Sequence, residues 1–142
     1  MRLTALAHVV VPTLAGLLLV ASGCGGGSDE GDGPSLEGPE WRLVAGVEAP
    51  PDAVPTVTFS AGTASGFSGC NQYGGDYELE GDVIAIGEIA VTAMSCPGPE
   101  METEESYLAA YLEADGWSIE DGELVLFAGA DEVLRYEATA GR

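Results

Sequence analysis

TVTFSAGTASGFSGCN, residues 56–71, carries the clearest structural signals in the chain. Residues 56–59 alternate polar and apolar side chains, as a strand with one buried face does. Ala61-Gly62 is a short turn signal, and residues 64–67 then return in the same pattern. The stretch therefore predicts an antiparallel hairpin, followed at once by turn-forming residues and a cysteine at 68–71.

Further strands are predicted on both sides of this hairpin. YELEGDVIAI (77–86) and WSIEDGELVL (117–126) each place an acidic residue and a glycine between two apolar runs, which is typical of tight hairpins. Other strands begin at Trp41 and Val133, and we expect about seven short antiparallel strands in the fold. Because closure protects strand edges, we expect a mainly β (α+β) fold, a small, partly open β-barrel.

One helix is predicted between the two halves, from about Met101 to Ala114. Acidic residues in its first turns suit the helix dipole, and Gly116 stands where a C-terminal cap is expected. The acidic residues are Glu102, Glu104 and Glu105, and the apolar stripe consists of Met101, Tyr107, Leu108, Tyr111 and Leu112. We expect this stripe to pack on the sheet, so that the helix covers one end or face of the barrel. Stacking of the tyrosines on a ligand is the alternative.

The N-terminal segment has the features of a secretory signal. Arg2 precedes an apolar run over residues 3–20, which ends in Ala21-Ser22-Gly23-Cys24. A charged start, an apolar centre and small residues are typical of a signal peptide. The ending is similar to a bacterial lipobox, so we expect residues 1–23 to be removed and Cys24 to be lipidated. An uncleaved signal anchor is the alternative, since the run is nearly long enough to cross a bilayer.

The next segment is predicted to be a tether. Residues 24–40 are rich in Gly, Ser, Pro and acidic residues, with almost nothing to bury. The folded domain is expected to occupy residues 41–142, outside the cytoplasm and lipid-anchored to the bacterial cell membrane. The acidic residues at 29, 30 and 32 lack the spacing and the final glutamate of a calcium-binding loop, so no metal site is predicted.

The charge of the chain restricts its partners. The formal net charge is −20, and without residues 1–23 three arginines face 24 acidic residues, which gives −21. Such a protein is repelled by nucleic acid and by anionic membrane surfaces. His8 is the only histidine and lies in the predicted signal, so histidine triads and histidine-ligated zinc sites are excluded from the mature chain.

Two cysteines remain for the domain, Cys70 and Cys96. An oxidising compartment outside the cytoplasm permits a disulfide between them, which would stabilise the fold by roughly 3 to 4 kcal/mol in the loop-entropy model. The alternative is a redox-active or nucleophilic cysteine, which needs a nearby cation or a helix N-terminus to lower its pKa. Cys96 precedes the predicted helix by a few residues, so this alternative stays open.

These residues resemble the META domain (HslJ-like) family over about residues 40–138. The matching residues are Trp41-Arg42-Leu43, Val57-Thr58-Phe59, Gly66-Phe67-Ser68-Gly69-Cys70-Asn71 with Tyr73, Ile86-Gly87-Glu88-Ile89-Ala90 with Thr92, Met94 and Cys96, then Met101 and Glu104 or Glu105 before Tyr107-Leu108, and Gly122-Glu123-Leu124-Val125-Leu126. The resemblance implies a compact antiparallel barrel-like fold with one helix, often on a lipoprotein, and a connection with heat shock. It implies no catalytic residues.

The functional expectation is a membrane-anchored, non-enzymatic protein of the cell envelope with a role in stress or in protein interaction. Its partners would be the membrane, through the lipid, and unknown envelope proteins; we expect a monomer without cofactors. The alternative is a barrel that binds a small ligand or a cation, since small barrels can hold ligands in their mouths. Its candidate contacts would be Trp41, Trp117, Tyr73 and Tyr77.

Overall fold

The computed structural model describes residues 34–140, which form eight strands and one helix. The predicted signal peptide, Cys24 and the first part of the predicted tether lie outside the described residues. The elements are β1 (Glu40–Ala45), β2 (Thr56–Ser60), β3 (Thr63–Phe67), β4 (Gln72–Glu80), β5 (Val83–Val91), α1 (Gly98–Glu113), β6 (Gly116–Glu120), β7 (Glu123–Ala128) and β8 (Asp131–Ala138). The predicted fold class, mainly β with one helix, is confirmed, with eight strands where about seven were expected.

The strands form one antiparallel sheet that curls into a ring. Each strand pairs with its neighbours in chain order, and β1 pairs with β8 to complete the circle. The contact between β5 and β6 is limited to the pair Val83 and Gly116, whereas β7 and β8 are paired from end to end. The ring is therefore barrel-like and tightly built on one side, and it is nearly open between β5 and β6.

The hairpin that links β2 and β3 forms as the sequence predicted. Ala61 and Gly62 both have positive φ, 49° and 82°, which is the backbone that a tight turn between right-twisted strands requires. The return strand passes very close to β2, because a Cβ on Gly66 would lie 1.9 Å from the carbonyl oxygen of Thr56. Only glycine fits at this position, and this close approach lets the sheet bend tightly.

The interior of the ring is filled by side chains from every side of the sheet. The largest fully buried ones include Trp41, Phe59, Tyr107, Tyr111 and Tyr136. Leucines from the tightly paired side complete this core, namely Leu124, Leu126 and Leu134. Buried residues alternate with less buried ones along β1 and β2, as expected of strands with one inward face, whereas β7 buries three consecutive residues.

The helix differs from its prediction at both ends. It begins at Gly98 rather than Met101, with proline in its first turn, a position where the missing N–H costs nothing. It ends at Glu113, and the residue that caps it is Ala114, whose N–H donates to the Tyr111 carbonyl over 3.3 Å. The predicted cap, Gly116, instead begins β6, because the chain leaves the helix in an extended conformation.

The buried face of the helix is also different from the predicted apolar stripe. Tyr107 and Tyr111 are fully buried as expected, but Leu112 is 47% exposed. The face is completed by two polar residues, Thr103 and Glu104. The predicted stripe was therefore wrong at Leu112, and the helix end nearest the cysteines packs through hydrogen-bonding groups instead.

The folded part begins before Trp41. Leu36 is 3% exposed, and its carbonyl accepts a 2.8 Å hydrogen bond from the indole N–H of Trp41. Glu37 also forms an isolated bridge with Phe59 of β2. The last residues of the segment that the sequence assigned to the tether thus pack against the ring.

Candidate functional site

A group of polar residues joins three segments of the chain beside the start of the helix. Its members are Ser68, Cys70, Asn71, Cys96 and Glu104, and we call this group the clamp. Cys70 and Cys96 form a disulfide with their Cα atoms 5.9 Å apart. The bond ties the loop between β3 and β4 to the segment that precedes α1.

Asn71 is the centre of the clamp. Its side-chain oxygen accepts hydrogen bonds from the Met94 N–H (2.7 Å) and from the Thr92 hydroxyl (2.9 Å). Its amide nitrogen donates to the Met94 carbonyl (3.2 Å) and to Glu104 (3.0 Å). The side chain thereby pairs with the backbone of Met94 much as a neighbouring strand would, and it fixes the chain beyond the end of β5.

Glu104 supplies the negative charge of the clamp. One carboxylate oxygen accepts from the Ser68 hydroxyl (2.5 Å) and from the Asn71 N–H (2.8 Å), and the other accepts from the Asn71 amide. Burial by itself raises the pKa of Glu104, but the hydrogen bonds from Ser68 and Asn71 outweigh it and leave the pKa below its ordinary value. Glu104 is therefore a buried, ionised residue whose two oxygens are both occupied.

From the sequence, Glu104 was assigned to the residues that suit the helix dipole and Asn71 to a turn, and the link between them was not predicted. One signal was present, because Glu104 lies three residues before Tyr107 and seven before Tyr111. This spacing puts all three residues on one face of a helix. A glutamate on the buried face requires hydrogen-bond donors, and the turn-forming residues 68–71 supply them through Ser68 and Asn71.

A second polar group fills the interior, formed by tyrosine hydroxyls. The hydroxyls of Tyr73 and Tyr107 are 2.7 Å apart, and Tyr136 donates to Tyr107 over 3.1 Å. Tyr73 also donates to the Thr56 carbonyl over 3.1 Å. Burial raises the pKa of all three tyrosines well above the ordinary value. They stay protonated and act as neutral, hydrogen-bonded core residues.

The four candidate ligand contacts do not converge on one site. Trp41, Tyr73 and Tyr77 are buried in the core, and Tyr77 donates a hydrogen bond to Glu37. Burial, together with that bond, raises the pKa of Tyr77 to about 12. Trp117 is half-buried and packs against the core, and its indole N–H donates to the Gly81 carbonyl over 3.1 Å. All four side chains are therefore used for packing, and three of them are fully covered.

A surface groove of about 750 Å³ lies between residues 46–50 and the start of α1. Thr103 lines the groove, and its hydroxyl donates to the Glu48 carbonyl over 3.1 Å. Two acidic residues, Glu48 and Glu102, stand on its walls. The groove is wide and mostly polar, so it lacks the enclosed apolar surface that is typical of small-molecule sites.

The described surface is strongly acidic. Arg42 and Arg135 are the basic residues of the range 34–140; Arg42 lies 3.8 Å from Glu137, and Arg135 pairs with three glutamates at 2.7–3.1 Å. No group of three or more potential metal-ligating side chains occurs among residues 34–140. The same range contains no helix that is long and apolar enough to span a bilayer.

Comparison with known proteins identifies the family. The sequence profile of the META domain matches residues 34–140. No curated protein sequence matches the chain. Among solved structures, one described as the NMR structure of a protein from Burkholderia xenovorans is 25% identical, with a TM-score of 0.63; the similarity covers 92% of this chain and 100% of that chain.

Proposed function

This chain belongs to the META domain family, and we propose that it is a non-enzymatic interaction module for envelope proteins, held outside the cytoplasm by a lipid on Cys24. The observation that carries the proposal is the disulfide between Cys70 and Cys96 in the clamp. Such bonds form and persist in oxidising compartments. The third cysteine, Cys24, is left for the anchor and follows the predicted signal directly.

The contents of the ring support a surface role rather than an interior ligand. Trp41, Tyr107 and Tyr136 occupy the volume in which a barrel would hold a small molecule. A ligand there would have to displace packed aromatic rings, which is costly in a close-packed core. Binding on the outer surface needs no such change.

The state of Glu104 supports the non-enzymatic part of the proposal. It is the buried carboxylate of the clamp, and its oxygens already accept hydrogen bonds from Ser68 and Asn71. A general base needs a free lone pair directed at substrate and a pKa near the working pH. Glu104 is buried, its oxygens accept three hydrogen bonds within the clamp and its pKa is lowered, so it acts as a structural anion. The resemblance to the family further supports a role of this module under stress.

The anchor is tested by expressing the full chain in bacteria fed an alkyne-labelled fatty acid. We expect label on the wild-type protein and none on Cys24→Ser, which should also leave the membrane fraction. The matched control is Cys70→Ser, which should keep both the label and the membrane location. A labelled Cys24→Ser protein, or free thiols at Cys70 and Cys96 in the wild type, would overturn the proposal.

The interaction part is tested by native mass spectrometry of the full-length protein released gently from its own envelope. We expect an added mass in the range of a polypeptide, which disappears on denaturation. An added mass of a few hundred daltons would instead support the small-ligand alternative. A bare monomer under all conditions, including heat stress before release, would contradict the interaction role.

A further inference from the structure

Strand β5 has one edge without a neighbouring strand. On one side it pairs with β4 over residues 83–86 and 89–91, with a bulge between these two stretches, but toward β6 the pairing is limited to Val83 and Gly116. From Gly116, β6 runs away from β5 and past the turn, so that the Trp117 N–H donates to the Asp82 carbonyl over 2.8 Å. Within the described part of the chain, residues 85–91 therefore have no strand partner on this edge.

The backbone of this edge is directed outward. The Ile84 N–H donates to the Asp115 carbonyl over 3.1 Å, on the side away from β4. Backbone groups alternate in direction along a strand, so Ile86, two residues further on, presents its N–H and carbonyl to the same side. An unpaired row of donors and acceptors is a template for another strand.

The side chains of β5 are also unusually accessible. Six of its nine residues are exposed, whereas none of the six residues of β7 is. Ile86 and Val91 face the interior, since they pair with the core residues Tyr77 and Tyr73, yet Ile86 is only half-buried and Val91 is 38% exposed. The edge thus offers apolar side chains next to its free backbone groups.

Both ends of β5 are fixed. The pair with Gly116 holds its first residue, and the clamp holds the chain just beyond its last one through Thr92 and Met94. The free edge between these points is therefore formed before anything binds. A preformed edge does not have to be ordered on binding, which lowers the entropic cost of association.

The charges around the edge define its occupant. Shallow hollows of about 460 and 250 Å³ lie on the β4–β5 hairpin around Ala85, and acidic residues line them: Asp76, Glu78 and Glu80. Glu88 adds a further exposed carboxylate on β5 itself. None of the ion pairs within residues 34–140 involves these four residues. The complementary partner therefore carries positive charge.

We propose that residues 85–91 bind an extended, arginine- or lysine-rich segment of a partner protein as an added β-strand. Main-chain hydrogen bonds to the free edge would supply affinity, and the acidic hollows would select basic side chains. This inference rests on the proposed interaction function and names the surface and the partner class for it.

The first test uses the full-length protein in detergent and three labelled nine-residue peptides. One alternates valine and arginine, one is the same peptide with every backbone amide N-methylated, and one alternates valine and glutamate. We expect the first to bind, with N-methylation weakening it by about ten-fold or more and glutamate abolishing binding. Equal binding of the methylated peptide would overturn strand addition, because its charge is unchanged.

Hydrogen exchange locates the peptide on the protein. We expect slower exchange in residues 85–91 when the valine–arginine peptide is bound, and no change in β7, whose amides are already paired. Protection that appears elsewhere and not in residues 85–91 would overturn the assignment to β5.

A pair of variants separates the edge from the general acidity of the chain. Ala85→Arg places a positive charge on the exposed face of β5, and Ala109→Arg places the same charge on the exposed face of the helix. We expect about ten-fold weaker peptide binding for the first and a change of less than about two-fold for the second. Equal weakening by both would show diffuse attraction and overturn the proposal.

Failure of this inference and failure of the proposed function have different signatures. A polypeptide mass in the native spectrum, combined with no binding of the peptides to β5, would overturn the edge and leave the interaction function standing. A bare monomer in the native spectrum would overturn both.

Discussion

The clamp and the seam between β5 and β6 lie at opposite ends of the same strand, and they are built in opposite ways. At the clamp, a disulfide and the side chains of Asn71 and Glu104 join segments that no strand ladder connects. At the seam, strands meet through the single pair of Val83 and Gly116, and apolar side chains remain accessible. The strong local links of the clamp keep the fold intact. Because they do so, the neighbouring edge of β5 can stay unpaired.

The largest effect is expected from breaking the disulfide. The bond closes a loop with a sequence separation of 26 residues, so Cys70→Ser should lower the free energy of unfolding by about 3 to 4 kcal/mol in the loop-entropy model. Denaturant unfolding of the variant, compared with the wild type with and without reductant, measures this. The reduced wild type should match the variant. Unchanged unfolding in both would mean that the hydrogen bonds alone hold the clamp.

A smaller effect is expected from Glu104→Gln. The amide removes the charge and places a donor where the Asn71 amide now donates, which should cost about 2 kcal/mol. Because the folded-state pKa of Glu104 lies below its ordinary value, its stabilisation is present above the unfolded-state pKa and is lost as pH falls through the folded one.

Unfolding measured from pH 7 to pH 3 tests this dependence. As the pH falls toward 3, the free energy of unfolding of the wild type should approach that of Glu104→Gln. The free energy of unfolding of Glu104→Gln should change less over the same interval. Glu105→Gln, at an exposed position of the same helix, is the control and should follow the wild type. A constant difference between wild type and Glu104→Gln at all pH values would contradict the assigned charge.

A loss of stability of intermediate size is expected from one member of a matched pair of variants at the core tyrosines. Tyr107→Phe removes a hydroxyl that is bonded to Tyr73 and Tyr136 and should cost about 1 kcal/mol. Tyr111→Phe should be nearly neutral, since its hydroxyl is buried without a partner among residues 34–140. Thermal unfolding compares the two, and an equal cost for both would argue against the hydroxyl chain.

The smallest effect is expected at the seam. Val83→Thr keeps the β-branched shape at a residue that is 50% exposed, so the free energy of unfolding should change by less than about 0.5 kcal/mol. Denaturant unfolding of the variant and the wild type measures this change. A loss comparable to that of Glu104→Gln would show that the single pair at the seam holds the ring as firmly as the clamp does.

The sequence predicted those parts of the fold that depend on local patterns. The alternation in residues 56–59 and the turn at Ala61-Gly62 identified a hairpin, because side-chain period and turn geometry are properties of neighbouring residues. The helix ends were less predictable, since the start at Gly98 and the extended exit at Ala114 depend on where the chain must go next.

The candidate site was predicted only in part for the same physical reason. The two cysteines could be proposed as a pair, but the bonds from Asn71 to Met94 and Glu104 join residues far apart in sequence. The open edge of β5 could not be foreseen either, because it results from the direction in which β6 departs after Gly116. Neither feature leaves a periodic signal in the chain.

The two tryptophans lie in different environments, so the intrinsic fluorescence of the native protein reports on two parts of the molecule. Trp41 is 0% exposed and sits in the core, while Trp117 is half-buried beside the seam. The two side chains should therefore differ in emission wavelength and in quenching by acrylamide. We expect Trp41 to emit at shorter wavelength with little quenching, and Trp117 to emit at longer wavelength with stronger quenching. One fluorescence spectrum can thus follow the interior and the open side of the ring separately, with no added label.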